Sequence, residues 1–481
     1  MKNNFLITFI KKASTLTPFF SMLYRRKIEI RNMKEVYVAF ASHLPFGAVD
    51  QVGPHNFKNY LRKKAIASGK CGKDEIAKVV EEMYAAAMKF LSEVKEFETR
   101  TGLTIKTEYP PNEGSFMNTP AADLTLVMLE HLFAQYKGKY NLRELIDVFY
   151  LGSVISHKTD ENAVHAFAKV IALRAGMNRA HAFTEDMACS SGLKGIGLAY
   201  DAIAHHGADF AIGGGVEKMS GVPDRLVRFG LTNPFDGHLM AGLADKTATM
   251  FGLTREELDD FAFESRQRAL LWQGKHRFIA SVRVSDSLTV DRDEEVDAHQ
   301  MPRKLFSKLP TYPVSEAADA EKCKMVTAGN SAAYADGGGL VVLASRDGLK
   351  KLGVSPLGKV LAYAEATGSD PKSFILKPKE AIGKALMMAG LKWKDVGHFE
   401  VNEAFAAGNV LLMKFHPEIT RDKMNRHGGA VAHGHAIGGT GGSLVVKSVD
   451  ISLTDSVKYY VVSLCHAVDS ASAMLLENPN V

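Results

Sequence analysis

Cys189 stands in Met187-Ala188-Cys189-Ser190-Ser191-Gly192, where a strand gives way to an apolar helix through Leu193, Ile196, Leu198 and Ile203. A thiol at such a junction meets backbone N–H groups and the positive end of the helix dipole, which is expected to lower its pKa and make the thiolate accessible. The alternative is a buried structural cysteine. His435 lies in the glycine-dense run from Gly428 to Gly442. A phosphate loop needs a Lys-Ser/Thr pair after its glycines, and no lysine occurs there before Lys447. His433-x-His435, with Cys465-His466 as further donors, makes half a metal site. Glycine crowding points instead to close backbone approach, with an imidazole projecting into a cavity. Asn402-Glu403-Ala404-Phe405 follows the expected strand His398 to Val401 and opens a helix. Its polar side chains therefore lie at a strand's carboxyl end, where ligands gather in α/β sheets; a plain helix cap by Asn402 is the alternative. Cys465 closes the strand Tyr459 to Leu464, and a core thiol is the competing reading.

These positions need a scaffold. From Lys73 to Thr101 charges alternate with Ile76, Val79, Val80, Met83, Tyr84, Met88 and Leu91 at helical spacing, until Tyr109-Pro110-Pro111-Asn112-Glu113-Gly114 breaks the pattern. That stretch reads as an inserted helical hairpin or lid. A first strand, Lys34 to Ala41, precedes it. After it come a helix Asp123 to Tyr136, a strand near Val148 to Leu151, a helix near Ala163 to Arg174 and a strand Ala182 to Met187. Between Pro223 and about Gln300 the alternation lapses into a loop-rich excursion holding one charged helix, Thr254 to Gln273, with Thr254 as N-cap. Strands then recur at Gly339 to Ala344, Val360 to Ala364, His398 to Val401 and Tyr459 to Leu464. The expected architecture is α/β: two similar halves of layered helices and sheets, a loop-rich excursion and an N-terminal helical insert. The corresponding division is an extension over 1–32, a first half over 33–222 with the insert at about 49–118, a loop domain over 223–300 and a second half over 301–481.

At roughly 150 residues per domain, 481 residues make about three units. Lys plus Arg number 59 against 54 Asp plus Glu, a net +5 that suits an anionic small molecule and lacks the dense basic patches of a nucleic-acid binder. Four separated cysteines with no C-x-x-C pair argue against a disulfide framework and a zinc ribbon, so no metal is expected and a reducing compartment fits. No apolar run reaches the length of a membrane-spanning helix. Residues 1–32 carry seven Lys or Arg against the single acid Glu29. They read either as an organellar presequence, which implies a mitochondrial protein, or as a segment upstream of a start at Met33, which implies a cytoplasmic one.

Taken in order, these pieces resemble the thiolase family over nearly everything from Met33 onward except the insert. The resemblance rests on Cys189-Ser190-Ser191-Gly192, Gly214-Gly215-Val216-Glu217-Lys218-Met219-Ser220, Thr254-Arg255-Glu256-Glu257-Leu258-Asp259, Val326-Thr327-Ala328-Gly329-Asn330 with Asp336-Gly337, Asn402-Glu403-Ala404-Phe405, Gly434-His435 and Cys465. It implies an acyltransferase of fatty acid metabolism that exchanges a 3-ketoacyl-CoA plus CoA with a shortened acyl-CoA plus acetyl-CoA. Coenzyme A is then a substrate, and no permanently bound cofactor is implied. By the same resemblance Cys189 is the nucleophile that forms an acyl-enzyme, His435 its base, Cys465 the acid and base at the departing carbon, and Asn402 the holder of a water beside His435. Oxyanion donors would be His435 with that water, and the Cys189 N–H with one near Ala467. Met240, Arg225, Ala328 and Ala404 are the residues expected to touch CoA, with Arg228 and Lys246 nearby. A homodimer or homotetramer is implied as well.

The sequence also departs from the family. Gly434-His435-Ala436 replaces G-H-P, Cys465-His466-Ala467 replaces C-x-G, His43-Leu44-Pro45 replaces R-T-P, and Ala332 stands where a serine often meets CoA. Alanine at 436 or 467 is strained if the backbone there requires a positive φ. Two rivals follow: a ketoacyl-synthase-like condensing enzyme, against which the second cysteine speaks, and a catalytically silent thioester-binding protein.

Overall fold

The computed structural model describes residues 33–48, 114–160, 163, 165–222, 230–286, 288–298, 301–315, 317 and 320–481, with helical positions between 78 and 89. The extension 1–32, most of the insert, and Arg225 and Arg228 lie outside the described residues.

Nine strands form the main path of one mixed sheet: β1 Val36–His43, β2 Val148–Gly152, β3 His181–Glu185, β4 Phe210–Glu217, β5 Ala335–Ser345, β6 Gly358–Thr367, β7 His398–Val401, β8 Tyr459–His466 and β9 Ser470–Glu477. Their spatial order is β7-β8-β9-β6-β1-β5-β4-β2-β3, and a short tenth strand, Gly47–Ala48, pairs with the start of β5. The helices that concern the site are α1 Ala121–Gln135, α2 Phe167–Arg174, α3 Ser191–His206, α4 Met240–Met250, α5 Arg255–Trp272, α6 Lys377–Ala389, α7 Ala406–Phe415 and α8 Thr440–Thr454.

The duplication is visible in the pairing. β1 runs antiparallel to β5, β5 antiparallel to β4, and β4 parallel to β2. The second half repeats this with β6, β9, β8 and β7. Antiparallel pairing of Val36–Val38 with Gly358–Val360 joins the halves. By the same correspondence α3 matches α8, and α1 matches α6.

Residues alternate sides along a strand, so the central strands here must serve two cores. Val36 and Val38 of β1, Val341 and Leu343 of β5, and Val462 and Leu464 of β8 face the layer that holds α3 and α8. Tyr37, Leu340 and Val342 face α1 and α2. Val461 and Cys465 of β8 and Leu475 of β9 join the cluster of α6 and α7. Helices therefore cover the sheet on both sides, and α3 and α8, which pack against strands of both halves, are buried along most of their length.

Close approach around α3 and α8 requires glycine. A Cβ on Gly192 of α3 would stand 2.8 Å from the Gly442 nitrogen of α8, and one on Gly215 of β4 would run 2.8 Å from Gly192 Cα. The first turns of α3 and α8 therefore touch each other and the sheet. Among the described residues no helix is long and apolar enough to cross a membrane.

The excursion is more helical than its sequence indicates. α4 was not expected, because its small residues Ala241, Gly242, Ala244 and Ala248 make a weak periodic signal; it lies buried against the β8–α7 core. α5 carries the expected Thr254 cap, with Glu257 completing a capping box. The strand expected over 182–187 stops at Glu185, where the chain turns toward Ala188, a residue with φ of 47°.

Candidate active site

The left-handed Ala188 places Cys189 on a sharp turn between β3 and α3. The Met187 N–H donates to Ser191 Oγ (2.8 Å), and Ser191 Oγ–H donates to the Ala188 carbonyl (2.7 Å), so the turn is fixed on both sides of the thiol. The half-buried Cys189 packs with Met219, Ile155 and Ile437, the last only two residues beyond His435.

Three further contacts gather the other residues. Ser190 Oγ–H donates to the Leu464 carbonyl (3.3 Å), tying the cysteine turn to the residue before Cys465. The Asn402 N–H donates to the Ser463 carbonyl (2.9 Å) at the end of the β7–β8 pairing. Asn402 Nδ2 then reaches His435 Nε2 at 3.4 Å, while its Oδ1 is buried with no partner among the described residues. Cys189, Asn402, His435 and Cys465 thus converge from both halves of the fold, at the amino ends of α3 and α8.

The electrostatics correct one expectation. Burial pushes the Cys189 thiol up to about 12, with the Glu217 carboxylate adding to the effect, so the resting group is a thiol, not the lowered thiolate the helix end alone would give. Burial likewise pulls His435 down to about 4, leaving a neutral imidazole. Cys465 is raised by burial first and by its neighbour Cys189 second. The resting site is a set of neutral groups.

Glu217, at the end of β4, belongs to one of the family-like motifs, but its task is not evident from sequence. Fully buried, it accepts from the N–H groups of Val154 (2.9 Å), Ile155 (3.1 Å), Ser156 (2.8 Å) and Gly438 (3.0 Å) and from Ser156 Oγ (2.7 Å). It clasps the loop after β2 to the loop that carries His435. Its signal is a carboxylate closing an otherwise apolar, glycine-rich strand, which must find its donors inside the protein. Thr440, five residues beyond His435, carries no sequence signal of its own; its Oγ1 lies 2.8 Å from His435 Nδ1.

The departures from the family carry no left-handed strain. Ala436 and Ala467 both lie outside the positive-φ region, whereas the retained Gly434 has φ of 83°. In the hairpin after Cys465 the left-handed residues are Val468 and Asp469. Ala436 packs with Phe46 and Ala335. His43 is buried, donates from Nδ1 to the Leu44 carbonyl (2.9 Å), and is driven down to about 4, mainly by burial and then by His276.

Of the residues expected to touch CoA, Ala328 is exposed on a short turn capped by Thr327, and Ala404 is half-buried. Their segments abut: the Ala332 N–H donates to the Ala404 carbonyl (3.1 Å), and Ser331 bridges Phe405. Met240 is buried at the start of α4. No cluster of three or more metal-ligating side chains occurs among the described residues.

Known proteins share this fold. Sequence models of the thiolase N-terminal and C-terminal domains match residues 104–347 and 354–478. A probable acetyl-CoA acyltransferase of Staphylococcus aureus (strain COL) is 32% identical over 381 residues, covering 73% of this chain and 92% of the relative. Human mitochondrial 3-ketoacyl-CoA thiolase superposes with a TM-score of 0.73 at 25% identity, over 93% of this chain and 100% of that one. The Bacillus anthracis acetyl-CoA acetyltransferase shares the fold, with a TM-score of 0.71 at 23% identity over 93% and 99% of the two chains. Two matched domains spanning most of the sequence, on a duplicated sheet packed against two buried helices, make this chain an acyltransferase belonging to the thiolase family.

Proposed function

We propose that the protein interconverts a 3-ketoacyl-CoA plus CoA with an acyl-CoA plus acetyl-CoA, through an acyl thioester on Cys189. The observation that carries the proposal is the Ser190–Leu464 hydrogen bond, which holds the two cysteine-bearing segments side by side. Carbon–carbon cleavage at a ketone needs a nucleophile that can later leave, and a second acid–base group at the departing carbon. Two neighbouring thiols supply both, which favours this reaction over the condensing-enzyme alternative.

In the cleavage direction His435 Nε2 takes the Cys189 proton as sulfur attacks the ketone carbon. The C2–C3 bond breaks, and its electron pair becomes the enolate of acetyl-CoA. Cys465 protonates that carbon, and its thiolate then removes the proton of incoming CoA. The CoA sulfur attacks the Cys189 thioester, acyl-CoA departs, and His435 returns its proton to Cys189. Because the resting thiol and imidazole are both neutral, proton transfer accompanies attack instead of preceding it. Asn402 Oδ1 is the side-chain acceptor available to orient a water beside His435. Segments around Ala328, Ala404 and Met240 are assigned to the CoA channel, and the working unit to a homodimer or homotetramer.

Incubation with acetoacetyl-CoA and CoA, followed by loss of the enolate absorbance, tests the reaction; binding without turnover refutes it. Cys189→Ser is expected to abolish the acyl-enzyme seen by mass spectrometry. Cys465→Ala is expected to stop cleavage while still permitting slow acylation. Acyl mass retained on Cys189→Ser would rule out Cys189 as nucleophile.

A further inference from the structure

Resting on the reading of His435 as the base for Cys189, we propose that Thr440 is the positioning residue that sets the His435 tautomer and so makes Nε2 the basic atom. Imidazole is a base at one nitrogen only when the other holds the proton, and the partner of that other nitrogen decides which it is. Among the described residues Thr440 Oγ1 has two hydrogen-bond contacts: the Ala436 carbonyl at 2.9 Å and His435 Nδ1 at 2.8 Å. A carbonyl can only accept, so the Thr440 hydroxyl proton goes to Ala436. Its oxygen then accepts from Nδ1–H. Nε2 is left with its lone pair, and the atom facing it, Asn402 Nδ2 at 3.4 Å, is a donor, which agrees with an unprotonated Nε2.

The hydroxyl itself is held in place. Thr440 is the first residue of α8, 1% exposed, and its N–H also donates to the Ala436 carbonyl at 2.8 Å. The His435 N–H donates to the Ala333 carbonyl at 2.8 Å, so the imidazole is fixed from its backbone as well. Thr440 touches neither Cys189 nor Cys465 in these contacts; its action passes through the ring.

The test uses Cys189 alkylation by iodoacetamide in the full chain without substrate, with the modified residue identified by mass spectrometry. This readout does not require thiolase turnover. Thr440→Val preserves shape and removes the acceptor, and is expected to slow alkylation at neutral pH by about a hundredfold, the low end of a general base's worth. Its pH profile should also change, whereas Thr440→Ser, which keeps the hydroxyl, restores the wild-type rate. Alkylation of Thr440→Val at the wild-type rate overturns the proposal. His435→Ala separates the two roles: unchanged alkylation in that variant removes His435 as base, while a slow His435→Ala beside a normal Thr440→Val removes only Thr440. Should the valine variant fail to fold, 15N NMR of histidine-labelled wild-type protein distinguishes the two tautomers directly. A proton on His435 Nδ1 supports the assignment, and a proton on Nε2 refutes it.

Discussion

Replacing Glu217 with glutamine changes one oxygen to an NH2 group and almost nothing else in shape. Five donors converge on the carboxylate: Oε1 takes the Ile155 and Ser156 N–H groups and the Ser156 hydroxyl, and Oε2 takes the Val154 and Gly438 N–H groups. The least costly placement of glutamine keeps its oxygen at the Oε1 position and turns NH2 toward Val154 and Gly438, donor against donor. Two hydrogen bonds to a charged acceptor are lost in the interior, at about 1.5–3 kcal/mol each, so Glu217→Gln is expected to destabilise by about 3–6 kcal/mol. That is a large part of the roughly 5–15 kcal/mol that holds a domain together. Urea unfolding followed by tryptophan fluorescence measures the loss. A second reading should move the other way. Burial is the main reason the Cys189 thiol is raised, and the Glu217 charge adds to it, so removing the charge shifts Cys189 alkylation toward lower pH. Stability within about 1 kcal/mol of wild type would refute the account of Glu217 as the clasp between the two loops.

Two further outcomes are expected. The unfolded His43 imidazole titrates near the ordinary 6.5, while the folded one stays neutral down to about 4. The unfolded state therefore binds more protons in that window, and stability present above pH 6.5 is lost as the pH falls toward 4. His43→Asn should flatten the acid slope by at most about 1.4 kcal/mol per pH unit, read from denaturation midpoints, and an unchanged slope would contradict a neutral buried His43. Gly442→Ala places a Cβ onto the Gly339 carbonyl of β5 and should cost about 3 kcal/mol or more, whereas Gly383→Ala on α6 meets only Trp393 Cζ2 at 3.8 Å and should be neutral or gain about 0.5–1 kcal/mol. Equal thermal shifts for the two would argue against the packing described around α3 and α8.

Much of this was legible one element at a time. His398–Val401 is the expected strand residue for residue, because Phe399 and Val401 alternate with the polar His398 and Glu400 up to the Asn-Glu that ends it. Cys189 at a strand-to-helix junction, and His435 among glycines, were marked by local context. The ties between them were not, since Ser190 to Leu464 and Asn402 to His435 span 274 and 33 residues and leave no periodic trace. The Cys189 pKa departs from what its sequence neighbours imply for a related reason. A helix end can be read from adjacent residues, but burial comes from Met219, Ile155 and Ile437, which arrive from other parts of the chain. The strain expected at Ala436 and Ala467 likewise depended on backbone angles that one-letter codes do not carry.

The correspondence of α3 with α8 has a chemical consequence. The proposed nucleophile and the proposed base each precede one of these two corresponding helices, Cys189 two residues before Ser191 and His435 five before Thr440. Both helices aim a partial positive charge at a common point. That polarity opposes the build-up of imidazolium and welcomes an electron-rich oxygen, so the scaffold itself is biased toward passing the proton onward once it has been taken.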